Sequence, residues 1–141
     1  MVVDTMKLRI LEHLSKELKK HVDEVFDEIS SLKTDYCILE VSNHYLKTIG
    51  KPLNFFDSKP CDREANDIKR DISFIYYCLT CPFFRELGVK SDFSKVQRKQ
   101  LSEHIGSDRW GISVYVRSAK HFYRFYADYR TKINAQIQFH L

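Results

Sequence analysis

The segment 106-GSDRWGISVYVRSA-119 contains two glycines, two residues that can cap a helix and the single tryptophan of the chain. Gly106 can adopt the left-handed conformation that ends a helix, and Ser107 or Asp108 can cap the helix that follows. Apolar residues that would hold these two helices together lie on both sides of the glycine: Leu101, Ile105, Ile112 and Val116. The segment therefore predicts two helices joined by a three-residue turn, the arrangement of a helix-turn-helix.

Helical periodicity covers most of the remaining chain. From Met6 to Lys33 there is no Gly or Pro, and apolar residues recur every three or four positions: Leu11, Leu14, Leu18, Val22, Val25, Ile29 and Leu32. This pattern predicts one long amphipathic helix, or two with a bend. Further helices are expected around 40–50, 62–81, 91–105 and 109–138, with a short helical piece around 83–88. The rings at 122, 126 and 129 are expected to face the core. Because no segment of any length alternates apolar and polar residues as a strand does, we predict an all-α fold.

The organisation of the chain follows from its turn-forming residues. A stretch with two prolines and a glycine, 50-GKPLNFFDSKPCD-62, is typical of a linker. We therefore expect an N-terminal helical region over 1–50, a linker over 51–61 and a helix-turn-helix domain over 62–141. With 141 residues the chain is long enough for one domain with a core and an appendage.

Hydropathy and charge indicate where the protein acts and what kind of partner it binds. No run of eighteen apolar residues or signal-peptide pattern occurs, so we expect a cytoplasmic protein without a membrane partner. The net charge of +4 is uneven: residues 1–70 carry 12 basic and 13 acidic side chains, whereas residues 71–141 carry 11 and 6. The basic C-terminal half favours an anionic partner.

The opening segment resembles the signature of the C-terminal DNA-binding domain of the bacterial replication initiator DnaA. Gly106, Asp108 and Arg117 match that signature, and Ile112 and Val116 are conservative replacements. The likeness extends over about residues 68–137, through 71-DISFIYYCLT-80 and 126-YADYRTKINAQI-137. It implies a helix-turn-helix that binds double-stranded DNA. Because the chain has no Walker A sequence, the family's nucleotide-driven activity is not carried over.

The departures from that signature affect the expected DNA sequence. Ser107 stands where the family has Arg, Arg109 where it has His, and Trp110 and Gly111 where it has a Ser/Thr-Thr pair. The family's own target sequence is therefore not expected here. For Trp110 the sequence leaves two interpretations open: packing against the preceding helix, which we favour, or contact with DNA.

The candidate site is non-catalytic. Residues at the start of the second motif helix are expected to contact base edges: Ser107, Asp108, Arg109 and Trp110. Residues flanking the two motif helices are expected to contact phosphates: Lys95, Arg98, Lys99, Gly111, Arg117 and Lys120. No catalytic constellation or cofactor motif is found, so we predict no enzymatic activity and no cofactor. The C-x-x-C pair Cys78 and Cys81 offers a weaker alternative, a zinc site, although its aromatic surroundings favour buried free thiols.

The sequence leaves two alternatives each for the function and for the packing of the N-terminal helix. The function is predicted to be sequence-selective DNA binding, of the replication-initiator or transcription-regulator kind, and the alternative is a helical module that binds proteins instead. The apolar stripe of the N-terminal helix has a mean spacing of 3.5 with a stutter at Val22. We favour its packing within the chain, and pairing with a second copy as a homodimer is the other outcome.

Overall fold

The computed structural model describes residues 2–141, which form seven α-helices and no strand. The helices are α1 (Val2–Ser30), α2 (Ile38–Thr48), α3 (Arg63–Thr80), α4 (Pro82–Leu87), α5 (Lys95–Ile105), α6 (Arg109–Phe125) and α7 (Ala127–His140). The prediction of an all-α fold with a long N-terminal helix is confirmed. Over the described residues, no helix combines the length and the hydropathy needed to cross a bilayer.

The chain divides into two compact units, the first ending at Leu32 and the second covering Lys33–Leu141. This division differs from the expected one at residue 50, because α2 packs on α3 and buries Val41, Tyr45 and Leu46 almost completely. The segment expected to be a linker also packs on this unit through Phe55 and Phe56. The second unit is therefore larger than the predicted 62–141 domain.

Helix α3 is the centre of the second unit. It packs against α2, α4, α5, α6 and α7, and every residue from Asp71 to Thr80 is buried. A helix that is apolar on all sides is stable only when other elements surround it. The predicted N-cap is confirmed: the Asp62 carboxylate accepts a hydrogen bond of 2.8 Å from the backbone N–H of Ala65.

One predicted helix is in fact two. The sequence indicated a continuous helix over 109–138, but Tyr126 is extended (φ −121, ψ 111) and separates α6 from α7. The Arg130 guanidinium donates to the carbonyls of Tyr123 and Arg124, at 3.3 and 3.4 Å, and so satisfies acceptors at the end of α6. As a result Tyr129 is buried while Tyr126 is 52% exposed, so the expected core position of Tyr126 is wrong.

A buried carboxylate joins three helices of this unit. Asp71 on α3 is 3% exposed, and it accepts hydrogen bonds from Tyr45 on α2 (2.5 Å) and Tyr129 on α7 (2.8 Å). Arg70 and Lys132 donate to the same carboxylate at 3.0 and 3.2 Å. Burial and the adjacent carboxylate raise the pKa of both phenols well above its usual value, so both remain protonated donors.

We expect Asp71→Ala to lower the free energy of unfolding by about 3–5 kcal/mol, because it removes the acceptor of two buried hydroxyls and an ion-pair partner of the partly buried Arg70. Urea unfolding followed by circular dichroism measures this change. Asp67→Ala is the control: Asp67 also pairs with Arg70 (3.3 Å), but it is exposed, so its removal should cost no more than about 1 kcal/mol.

Because Asp71→Ala can unfold a marginal domain, Tyr129→Phe provides a milder test. It removes one hydrogen bond to a charged group and should cost about 1.5–3 kcal/mol. Equal effects of Asp71→Ala and Asp67→Ala would show that the buried carboxylate has no special role.

Candidate nucleic-acid interface

The turn between α5 and α6 lies where the sequence placed it. Helix α5 begins with a capping box between Ser94 and Gln97 and ends at Gly106, which is left-handed (φ 69, ψ 38). The Ser102 hydroxyl then donates to the carbonyl of Ser107 at 2.5 Å and closes the turn. The apolar residues expected to join the two helices are all buried: Leu101, Ile105, Ile112 and Val116.

Helix α6 is capped by Asp108, whose Oδ1 accepts a hydrogen bond of 2.7 Å from the Gly111 backbone N–H. This cap also accounts for the glycine. A Cβ at residue 111 would lie 3.2 Å from that Oδ1 and 3.6 Å from the Cβ of Ser107, tighter than usual for the first contact. Gly111, expected to contact a phosphate, therefore has a local role in making room for the cap.

The remaining residues at the start of α6 face outward. Arg109 and Trp110 are exposed, Trp110 by 76%, and Ser107 is partly buried. The favoured interpretation of Trp110, packing against the preceding helix, does not fit an exposure this large. The structure instead presents an arginine and a large aromatic ring together on the first turn of the helix.

Three of the predicted phosphate-contacting residues come together in a cavity of about 640 Å³. Arg98 from α5 and Arg117 and Lys120 from α6 line it, together with Lys90 from the segment that joins α4 and α5. Its walls also contain Tyr77 of α3 and its single carboxylate, Asp92, so we call it the basic pocket. Lys95 and Lys99 are exposed on α5 and do not line this cavity.

The basic pocket has more positive charge than its own carboxylate can neutralise. Asp92 and Arg98 form an ion pair of 2.6 Å, and this hydrogen bond is the main reason that the pKa of Asp92 is lowered. Arg109 adds a smaller electrostatic contribution to the same shift, so the start of α6 acts on this region too. Within residues 2–141, Lys90, Arg117 and Lys120 form no ion pair with a carboxylate.

Lys120 has an unusual environment for a lysine. Its Nζ lies 3.4 Å from the Tyr77 hydroxyl and 4.7 Å from the ring centroids of both Tyr77 and Phe84. Burial, and in second place the charge of Lys90, lower the pKa of Lys120. An anion bound beside it would supply the missing opposite charge and favour its protonated form.

Sequence reasoning missed Lys90. It lies in the segment after Gly88, outside both motif helices, and nothing in its spacing indicates that it meets Arg117 and Lys120. Its place depends on contacts that hold this segment on α3: Tyr77 donates to the Ser91 carbonyl at 2.7 Å, and the Cys81 thiol donates to the Asp92 carbonyl at 3.6 Å.

The two cysteines of the C-x-x-C pair are core residues. Cys78 and Cys81 are free and buried, and burial raises the pKa of both thiols. In the part of the chain that the structure describes, no three His, Cys, Asp or Glu side chains are grouped as metal ligands would be. Nothing therefore supports the alternative of a zinc site at this pair.

Comparisons of the chain with models of protein families, with curated proteins and with solved structures gave no match. The resemblance of residues 68–137 to the initiator domain thus remains an expectation from the sequence.

We expect Asp108→Ala to destabilise the protein by about 1 kcal/mol, because the cap of α6 is lost. Asp108→Asn is the matched control: asparagine caps helices as well as aspartate does, so its stability should stay near that of the wild type. Thermal or urea unfolding of both variants measures the difference. An equal loss in Asp108→Asn would mean that the charge of the carboxylate, and not its hydrogen bond, stabilises the turn.

Proposed function

We propose that the protein binds double-stranded DNA in a sequence-selective way, through α5, the turn and α6, without ATPase activity. One observation carries the proposal: the basic pocket, with three cations that lack an ion pair, adjoins a helix whose first turn is exposed. Phosphate contacts position a protein on DNA, and side chains on a helix in the major groove read the bases. The chain offers both kinds of side chain side by side.

In this proposal the phosphates of one strand lie over the basic pocket. Lys90, Arg117 and Lys120 can neutralise them, since none of the three forms an ion pair with a carboxylate of the described residues, whereas Arg98 is paired with Asp92. Lys95 and Lys99 are exposed on α5 and extend the positive surface beyond the cavity. This distribution supports a backbone footprint wider than one phosphate.

In this proposal the first turn of α6 contacts the base edges in the major groove. Arg109 is exposed there and can donate to guanine O6 and N7, the commonest specific contact in the major groove. Trp110 is free to contact a sugar or a base edge, and Ser107 can donate to either base type. Asp108 can accept from cytosine N4 only with the oxygen that the cap leaves open. The resemblance to the initiator domain supports the same orientation.

One observation favours a second function. Trp110 and Val96 are 76% and 65% exposed, and large exposed apolar side chains are frequent at protein interfaces. The alternative is therefore a helical module that uses exposed apolar side chains of α5 and α6 for a protein partner. It does not explain the uncompensated cations of the basic pocket, which is why we prefer DNA.

We expect Arg117→Gln and Lys90→Gln each to weaken binding to duplexes of every sequence, and to reduce the slope of log K against log salt by about one unit. Lys47→Gln is the matched control, because Lys47 is an exposed lysine on α2, away from the pocket, and it should leave the slope unchanged. Fluorescence anisotropy with a mixed-sequence duplex at several salt concentrations measures this. Absence of duplex binding even at low salt would overturn the proposal.

We expect Arg109→Ala to weaken binding by different amounts on duplexes of different sequence. Once a preferred duplex has been selected from a random pool, this variant should lose about 1–3 kcal/mol of binding free energy on that duplex and much less on others. Competition binding on the two kinds of duplex measures the difference. Equal losses on both would show that Arg109 contacts only phosphate.

A further inference from the structure

The basic pocket holds its cations at two depths. Lys90 and Arg117 are exposed, whereas Lys120 is partly buried, with its ammonium over the rings of Tyr77 and Phe84. The same ammonium donates to the Tyr77 hydroxyl at 3.4 Å. An anion at the surface can therefore contact the two exposed cations, but an anion that contacts Lys120 has to enter the cavity.

The cations of this cavity repel one another. Four of them line it, and its one carboxylate, Asp92, is paired with Arg98 at 2.6 Å. Burial, and after it the charge of Lys90, lower the pKa of Lys120. A dianion bound among Lys90, Arg117 and Lys120 would relieve this repulsion and offset part of the hydration that Lys120 loses.

Two kinds of phosphate differ in how well they can satisfy such a cavity. A diester of a nucleic-acid backbone carries one negative charge and has a substituent on each side of the phosphorus. A phosphate monoester carries nearly two negative charges at neutral pH, and three of its oxygens accept strong hydrogen bonds. Because it is attached at one point only, it can enter the cavity with these oxygens first. The depth of Lys120 and the excess of cations therefore both favour the monoester.

The cavity has room for more than a phosphate group. Its volume of about 640 Å³ lies within the range of small-molecule sites, about 300–1,000 Å³. Such sites combine apolar walls with a few polar groups, and here Tyr77, Ile112 and Val116 provide apolar walls beside the cations. An organic group attached to the phosphate can contact these walls.

We propose that the basic pocket binds a phosphate monoester, with the phosphate among Lys90, Arg117 and Lys120. The monoester belongs either to a free small molecule, such as a sugar phosphate or a nucleotide, or to the 5′ end of a nucleic-acid strand. An occupant takes up cations that the backbone of duplex DNA would otherwise contact, so it should weaken duplex binding. This last consequence alone rests on the proposed function.

Methyl phosphate and dimethyl phosphate test the preference for a monoester, because they are similar in size and differ in charge. Each is titrated into the full-length protein at pH 8, and binding is followed by NMR. Methyl phosphate should bind at least about tenfold more tightly and should shift the signals of Lys120. Equal affinities, no binding of methyl phosphate at tens of millimolar, or shifts confined to residues outside the pocket would overturn the proposal.

Two substitutions with opposite effects test the position of the phosphate. Lys120→Gln removes the inner cation and should weaken methyl phosphate binding about tenfold, whereas Asp92→Asn frees Arg98 from its ion pair and should tighten it. Asparagine can still accept the hydrogen bond of 2.9 Å from the Phe93 backbone N–H. Lys47→Gln is the control, because Lys47 is exposed and does not line the pocket. An equal loss in the control, or no change in the two pocket variants, would show adsorption to general positive charge and contradict the site.

Arg117→Gln repeats the measurement at an exposed position, where a substitution has little effect on stability. It should also weaken methyl phosphate binding, while circular dichroism shows unchanged helical content. An unchanged Kd in this variant would contradict the arrangement, whatever the stability of Lys120→Gln.

Two pairs of ligands distinguish the sources of the monoester. A nucleoside 5′-monophosphate is compared with its nucleoside, and a short single strand with a 5′-phosphate is compared with the same strand without it. A gain of about tenfold from the phosphate in the first pair alone assigns the pocket to a small molecule, and a gain in the second pair includes strand ends. No gain in either pair would overturn the proposal.

These measurements contain no duplex, so their outcome does not depend on whether the protein binds duplex DNA. Where a duplex without terminal phosphates is bound, methyl phosphate should release it, and dimethyl phosphate at the same ionic strength should not. Fluorescence anisotropy measures the release. Equal effects of the two esters would show that the pocket and the duplex do not compete.

Discussion

The hydrogen bonds to the buried Asp71 carboxylate are the constraint on which the C-terminal unit depends. Removing a charge from water costs several kcal/mol, and only a nearly complete set of donors offsets that cost. Here two phenols, a guanidinium and an ammonium provide this set, and they come from α2, α3 and α7. Those helices can therefore satisfy the carboxylate in only one relative arrangement, so the network selects one packing among several that an apolar core would permit.

This arrangement also determines where the candidate site lies. The network places α7 against α3, while α6 packs on α3 as well and carries Arg117 and Lys120. Tyr77, on the same central helix, forms part of the pocket wall and holds the Ser91 backbone. The positions of the cations therefore depend mainly on how the helices pack around α3. The turn between α5 and α6 determines them only indirectly.

Local signals in the sequence were sufficient to predict where several helices begin or end. Gly106, the Asp108 cap and the Asp62 cap were predictable because each acts through its own backbone neighbours. The break at Tyr126 was not predictable, since no glycine or proline marks it and the carbonyls it exposes are satisfied by Arg130, four residues later. The pocket was predictable only in part: three of its cations belong to the motif helices, but Lys90 reaches them through tertiary contacts of the preceding segment.

The two parts of the proposed DNA surface differ in their physical basis, and salt separates them in experiment. At physiological ionic strength charges more than about 8 Å apart are largely screened, so the attraction of the basic pocket for a polyanion falls steeply with salt. Contact of Trp110 with a sugar or a base edge would bury apolar surface and is affected little by salt. A preference for one duplex that persists at a salt concentration where other duplexes are released would therefore come from the first turn of α6 and not from the pocket.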